Sequence, residues 1–368
     1  MKLAYNFQET IIMTCHSENW NDWKWQVENS ITDIKSIVDL SDEMVAKLQD
    51  KYRMLITPYY YSLIDKEDKN CSIKKQIVPA PEELNNCGFN DTCYNLSDSL
   101  SEMKFMKTNN LIHRYPDRVL LIVANNCFSY CRFCTRKRLT SKNECYNFDL
   151  SSAINYIKNN NQIRDVLISG GDPLVLEDEQ LEHIVSSIRS IPHVDVIRIG
   201  TRTPVVLPMR ITDKLINMLK KYHPIWINTH FNHPKELTSF SINACEKIIN
   251  AGIPLGNQSV LLKDINDEIE TYKELCLGLV KNRIRPYYLY QCDLGSGNYH
   301  FITSIDKGLD IMEGLRGYIS GFAVPTYVVD APNGGGKIAL DRDRIEKRTD
   351  QEIVMRNYLG QVYTYPIL

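Results

Sequence analysis

An α/β fold with a parallel sheet is what this sequence predicts, and three observations predict it. Short runs rich in β-branched residues recur from residue 119 onward: Val119 to Ala124, Asp165 to Ser169, Val194 to Gly200, Pro224 to His230, Leu255 to Leu262, Arg285 to Gln291 and Ala323 to Asp330. Between most of them lie amphipathic stretches of helical length, namely Glu177 to Ser190, Thr212 to Lys221, Ser239 to Ala251 and Asp267 to Lys281. Strand and helix in alternation mean parallel strands with right-handed crossovers, hence a barrel or a doubly wound sheet. The third observation is length: 368 residues suit one barrel of roughly 200 to 250 residues plus a smaller appendage. The expected organisation is a helical N-terminal region over 1–110, a barrel over 111–340 and a short C-terminal segment over 341–368.

Composition removes several function classes. The chain is 43% hydrophobic and 24% charged with a net charge of −2, so no global field draws it to nucleic acid or to an anionic membrane. No apolar run approaches the ~20 residues a membrane span needs. Met1 to Thr10 is polar, without the apolar core of a signal peptide, and the 11 cysteines are an odd number in a long chain. Reduced thiols and a cytoplasmic protein are the expectation.

The N-terminal region reads as a packed helical cap. Ser17 to Ile31 is amphipathic and carries Trp20, Trp23 and Trp25, residues expected to pack and not to bind a cofactor; Ser41, followed by Asp42 and Glu43, caps a second helix. Cys71 to Ser101 mixes Pro79, Pro81, Cys87, Asn90, Asp91 and Cys93 without a period, which predicts a loop.

The first strand leads into Cys127-Phe-Ser-Tyr-Cys131-Arg-Phe-Cys134, followed by Arg136, Lys137 and Arg138. A structural zinc wants four protein ligands, whereas a cubane iron-sulfur cluster on three cysteines leaves one iron open for another ligand. Zinc binding and scattered free thiols are the alternatives. The Cys-x-x-x-Cys-x-x-Cys spacing after a first barrel strand resembles the radical S-adenosylmethionine (SAM) enzymes, which implies a 4Fe-4S cluster whose open iron chelates SAM.

Ligand groups of a barrel sit on loops leaving the C-terminal ends of its strands, and the later strand ends carry suitable chemistry. Strand two ends in Ser169-Gly170-Gly171-Asp172-Pro173-Leu174, whose glycines allow close backbone approach. Strand three ends in Arg198 to Pro204, with Arg202, and strand four in Asn228-Thr229-His230, while one of Asn257 and Gln258 on strand five must face the lumen. The resemblance makes Gly170, Gly171, Asp172, Arg202, His230 and Gln258 candidates for SAM or pyridoxal phosphate. The bland reading of His230 is a hydrogen-bonded loop histidine.

After the last strand comes Val329-Asp330-Ala331-Pro332-Asn333-Gly334-Gly335-Gly336-Lys337. It lacks the spacing of a nucleotide phosphate loop. A lysine on a glycine loop at a barrel mouth can instead form a Schiff base with an aldehyde such as pyridoxal phosphate (PLP). Taken with Trp20-Asn-Asp-Trp-Lys-Trp25, His113-Arg-Tyr-Pro-Asp-Arg118, Gly-Gly-Asp-Pro-Leu and Tyr287-Tyr-Leu-Tyr-Gln-Cys-Asp293-Leu, the chain closely resembles the lysine 2,3-aminomutase family from about residue 20 to about 340.

That resemblance implies a partial (β/α)6 radical SAM barrel and an isomerase using SAM and PLP together. It implies that Cys127, Cys131 and Cys134 hold the cluster and that Lys337 binds PLP, with Arg114, Tyr115, Arg118 and Tyr290 around the PLP phosphate and ring. Arg136 would pair with the substrate carboxylate, and Asp293 and Asp330 would clamp a cationic side chain. Surface ion pairs for the arginines and turn caps for the aspartates are the structural alternatives. Both acids are kept here, so lysine and arginine are the expected substrates and an anionic side chain is disfavoured. The product would be the β-amino acid, formed as a SAM-derived radical takes hydrogen from C3 and returns it to C2.

Three departures stand out. No cysteine follows Cys292, and Glu268 occupies the position of an intersubunit zinc ligand, so an oligomer without that zinc is expected. Asn333 replaces a glycine of the lysine loop, and Gly295 to Tyr299 differs from the usual lysine-enzyme sequence. An electron donor such as a flavodoxin or ferredoxin is the implied protein partner. The competing functions are a radical SAM reaction without PLP, β-isomerisation of lysine for attachment to a translation factor, and a non-enzymatic zinc protein.

Overall fold

The computed structural model describes residues 18–85, 96–140 and 148–367. Its centre is a sheet whose ten strands follow one another in chain order. Strands β1 (Met106–Thr108) and β2 (Leu111–Tyr115) enter antiparallel. Seven parallel strands follow: β3 (Arg118–Ala124), β4 (Asp165–Gly170), β5 (Val196–Gly200), β6 (Ile225–Thr229), β7 (Leu255–Leu261), β8 (Arg285–Gln291) and β9 (Thr326–Ala331). The sheet ends with β10 (Gly336–Ala339), antiparallel to β9. Six strand-to-strand crossovers thus match the expected partial barrel, with a seventh parallel strand completing it. Among the described residues β1 and β10 do not pair, so the barrel is open.

The alternation of burial along β4 and β5 sends one set of side chains to the helices and the other to the lumen. Helices Asp178–Arg189, Asp213–Lys220, Ser239–Asn250, Ile269–Lys281 and Ile305–Leu315 cover the outer face with Leu181, Leu215, Ile248, Leu275 and Ile311 turned inward. Their starts are written locally: Thr212 Oγ1 accepts from the Leu215 amide at 3.1 Å, and Asp178 and Glu179 occupy a first turn.

The N-terminal region differs from expectation in two places. The helix expected over Ser17 to Ile31 is only Trp23–Glu28, capped by Asp22, because Ile31 bridges to Ile56 as extended chain; Ser17 itself lies outside the described residues. Its tryptophans pack as expected, Trp23 meeting Phe128 beside the first loop cysteine at 6.1 Å. The loop expected from Cys71 to Ser101 contains the helix Ser72–Ile77, nucleated by burial of Ile73 and Ile77 where the polar sequence shows no period. Cys15, Cys87, Asn90, Asp91, Cys93 and Cys145 lie outside the described residues. The second expected helix forms as Asp42–Lys51, with Ser41 as its cap.

The C-terminal segment is built of strands. Its strands β11 (Ile345–Arg348), β12 (Glu352–Arg356) and β13 (Val362–Pro366) form a separate antiparallel sheet. A buried ion pair anchors the N-terminal region to the barrel. Glu83 accepts from Arg132 Nε at 2.9 Å and Nη2 at 2.7 Å, and Lys137 joins them at 3.3 Å.

Candidate functional site

Two groups of side chains meet at the C-terminal ends of the strands, one on the cysteine loop and one around Lys337. The cysteine loop leaves β3, and Cys127, Cys131 and Cys134 are all unpaired thiols. Burial pushes the Cys127 and Cys134 thiols up, and the neighbouring cysteines add to it, so the three sulfurs feel one another. Among the described residues no three His, Cys, Asp or Glu groups converge closely enough to hold a single ion. Three cysteines on one loop supply one ligand fewer than a structural zinc wants and as many as a cubane cluster with one open iron uses. Arg202 Nη1 donates to Cys131 Sγ at 2.8 Å and the Arg136 amide to Cys134 Sγ at 3.3 Å.

Beside this loop several buried polar atoms have no protein partner: His230 Nε2, Arg202 Nε, Thr229 Oγ1 and Ser129 Oγ. Their desolvation is uncompensated unless a polar ligand meets them, which fits SAM. His230 stacks on Phe133 at 5.3 Å, and burial together with Arg202 pulls its pKa down to about 3, leaving a neutral ring. The ring keeps a hydrogen bond to Asn232, and Nε2 is the nitrogen left without a partner.

Three of the strand-end candidates have close partners within the chain. An added Cβ would sit 2.3 Å from the Ala124 oxygen at Gly170 and 2.2 Å from the Asn126 oxygen at Gly171. The glycines therefore admit the backbone entering the cysteine loop, whose carbonyls accept from the Gly171 amide at 2.6 Å and the Asp172 amide at 2.8 Å. Asp172 is likewise bonded within the chain. It is buried, and it accepts from Thr201 Oγ1 at 2.7 Å, the Arg202 amide at 2.9 Å and the Leu174 amide at 3.0 Å. Of the two amides on β7, Asn257 turns to the Phe231 backbone at 2.7 Å, while Gln258 donates to Tyr290 OH at 3.1 Å and so faces the second group.

In that second group Lys337 lies on β10 directly opposite Asp330 on β9. Its Nζ is 3.2 Å from both Asp330 carboxylate oxygens and 5.4 Å from the Tyr290 ring centre. The Lys337 amide donates to Tyr115 OH at 3.0 Å, across the gap between the sheet's two edges. Arg114 reaches over the same gap to within 3.9 Å of Asp330, donates to the Leu100 carbonyl, and keeps a buried Nε without a partner. Arg118 stands 3.9 Å over the Tyr115 ring and pairs with Asp117 at 2.8 Å, so it joins the group through Tyr115. The unpartnered Arg114 nitrogen beside a lysine and two tyrosines fits an anionic aldehyde cofactor.

Arg136 is already engaged. Glu102 takes its Nε at 2.9 Å and its Nη2 at 2.7 Å in a side-on fork. Arg136, expected to pair with the substrate carboxylate, is thus held from one side by a buried acid of the chain itself. Asp293 and Asp330 line one cleft with Asp98, Ser99, Ser101 and Asn333. Burial, then the Asp330 charge, pushes Asp293 up to about 7. The same two causes hold the Tyr290 hydroxyl well above its ordinary range. Asn333 adopts φ 59°, a left-handed conformation that asparagine tolerates, which accounts for its replacing glycine. The divergent loop is pinned: Lys137 Nζ donates to Asn298 Oδ1 at 2.9 Å and to the Ser296 carbonyl at 3.2 Å. Glu268 pairs with Lys307 at 2.9 Å on the surface.

Sequence reasoning missed Glu102, the Asp98 to Ser101 wall, and the Gln76, Tyr60 and Glu236 residues behind Arg202. Only Glu236 had a signal. It closes a capping turn that starts at His233, with its carboxylate accepting from the His233 amide at 2.9 Å.

The chain matches the Radical SAM superfamily over residues 121–276 and the family described as Lysine-2,3-aminomutase over residues 312–367. It is 50% identical to the L-lysine 2,3-aminomutase of Fusobacterium nucleatum over 95% of this chain and 83% of that protein. Identity to the L-lysine 2,3-aminomutase of Clostridium subterminale is 49%, over 94% of this chain and 84% of that one. The glutamate 2,3-aminomutase of Clostridioides difficile is 44% identical over 95% of this chain and 84% of its own.

Proposed function

Because the chain belongs to the lysine 2,3-aminomutase family of radical SAM isomerases, we propose that it moves the α-amino group of a cationic L-amino acid, L-lysine foremost, to C3 of the same molecule. The observation that carries the substrate class is the pair Asp293 and Asp330 on one cleft beside Lys337. Two carboxylates at one end of a cleft favour a cation and repel an acidic side chain.

When bound, the cluster with SAM supplies a hydrogen-abstracting radical and PLP supplies an aldehyde that carries the migrating amine. The chain's own residues hold and orient. Cys127, Cys131 and Cys134 would hold the iron, and His230 and Thr229 would offer their open polar atoms to SAM. Lys337, Tyr115, Tyr290 and Gln258 frame PLP, with Arg114 and Arg118 toward its phosphate.

Glu102 fixes Arg136 from the side, so Nη1 is the atom left to meet the substrate carboxylate. Asp330 has two partners in turn. It neutralises Lys337 when that amine is free and the substrate cation when Lys337 is engaged elsewhere. Gathering carboxylate, amine and cation at three fixed points converts a flexible amino acid into one oriented for hydrogen transfer at C3.

No helix among the described residues is long and apolar enough to cross a membrane. A cytoplasmic location, an oligomer without an intersubunit zinc, and reduction by a flavodoxin or ferredoxin complete the reading.

The deciding experiment is anaerobic incubation of reduced, reconstituted enzyme with SAM, PLP and separate pools of lysine, arginine, ornithine and glutamate, followed by chromatography for β-isomers. Turnover of lysine is expected, and turnover of glutamate but of neither cation would sink the two-aspartate argument. Lys337→Ala should lose the visible absorbance of bound PLP while keeping its iron. Retention of that band would remove Lys337 from its role.

A further inference from the structure

Arg202 is the side chain that, among the described residues, donates to a sulfur of the cysteine loop. Its position does not depend on its own flexible reach. Nη2 donates to Gln76 Oε1 at 2.6 Å, to Glu236 Oε1 at 2.8 Å and to Tyr60 OH at 3.1 Å, and the guanidinium lies over the Phe133 ring at 5.3 Å. Glu236 is fixed in turn by Tyr60 OH at 2.5 Å and by the Asn232 amide at 2.6 Å. All of this is buried. An arginine so restrained cannot follow a ligand without breaking charge-assisted hydrogen bonds in a dry interior.

The sulfurs are consequently unequal. Cys134 receives a backbone amide at 3.3 Å, whereas Cys131 receives a guanidinium at 2.8 Å. We propose that Arg202 tunes the cluster's reduction potential through the Cys131 sulfur, holding it higher than the thiolates alone would. The proposal rests on the reading that Cys127, Cys131 and Cys134 hold that cluster. Reduction adds one electron's charge to the cluster and its sulfurs, so a donor on sulfur stabilises the reduced state more than the oxidised one. Burial leaves this effect unscreened. Glu236 cancels the guanidinium's charge at long range, so what remains is a short-range donor and a local dipole with its positive end at Cys131. Arg202 is thus a positioning and tuning residue, distinct from a clamp on SAM.

The test is a redox titration, followed by electron paramagnetic resonance, of the anaerobically reconstituted full chain without SAM or amino acid. In the double variant R202Q/E236Q both charges leave together, so no buried carboxylate is stranded. Its midpoint should fall, with the reduction equilibrium shifting at least about tenfold, 59 mV for one electron. E236Q alone keeps Arg202 and an oxygen acceptor for the Asn232 amide but removes the counter-charge, and its midpoint should rise. The two shifts have opposite signs, so either variant decides if the other fails to fold. Unchanged midpoints together with weakened SAM binding would overturn the proposal and make Arg202 a SAM ligand. Wild-type chain that takes up no iron and sulfide would instead overturn the cluster reading, and this inference with it.

Discussion

Asp293 is where a proton and the substrate compete. Its carboxyl is pushed up to about 7, first by burial and then by Asp330, while Lys337, Arg136 and Arg114 pull the other way. Below that pH the group is neutral and attracts a cation weakly. The substrate's side-chain ammonium stays charged throughout, with an ordinary pKa of about 10.4. Affinity should therefore rise with pH through about 7, and KM should increase by up to roughly tenfold per unit as pH falls below it. Asp293→Asn should remove that dependence and raise KM at pH 8, measured by initial rates across pH 6 to 9. The stability effect has the opposite sign. A carboxyl whose folded value lies above its unfolded one favours the fold when protonated, so this contribution is lost as pH rises from about 4 toward about 7. Asp330→Asn should do two things at once, weakening substrate binding and leaving the Lys337 amine without its 3.2 Å partner. Residue identities of this kind were legible because motif order fixed them. Glu102 was not, since a lone acid in Ser101-Glu-Met-Lys has no pattern to betray that it will fork onto Arg136 34 residues later.

The β4 end shows what an element can hide. The paired glycines Gly170 and Gly171 announce close approach of some backbone or ligand, and sequence does not say which. The answer is the backbone entering the cysteine loop, because parallel strands β3 and β4 diverge only after the Gly171 amide has bonded to Ala124. Gly171→Ala would put a carbon 2.2 Å from the Asn126 oxygen. Backbone cannot yield there as a flexible side chain would. A loss of about 1–3 kcal/mol is expected, seen as a lower Tm of the chain without cofactors. Iron uptake should also fall, since the loop is displaced at its root. Parallel strands and outer helices were readable because their apolar residues repeat with periods of two and 3.6. The shortened Trp23–Glu28 helix was not readable, because the Ile31 to Ile56 bridge that ends it is a contact between distant segments.

Across the whole molecule the N-terminal region is a structural part of the site. Glu83 holds both Arg132 and Lys137 of the cysteine loop. Glu83→Ala would strand the buried Arg132 guanidinium and loosen Lys137, costing about 3–5 kcal/mol, and chemical denaturation should show the loss even without iron. The open sheet has a larger consequence. Its two edges are laced by Tyr115 to the Lys337 amide and by Arg114 to Asp330, side chains that the second cofactor is proposed to engage. PLP would then work as a buckle, fastening the first edge of the barrel to the last. Hydrogen exchange at the amides of β2 and β10 should slow when PLP is added, while the middle strands β5 and β6 stay unchanged. A cofactor that closes its own container also times it: radicals would be generated inside a wall that is complete only once the amine carrier is aboard.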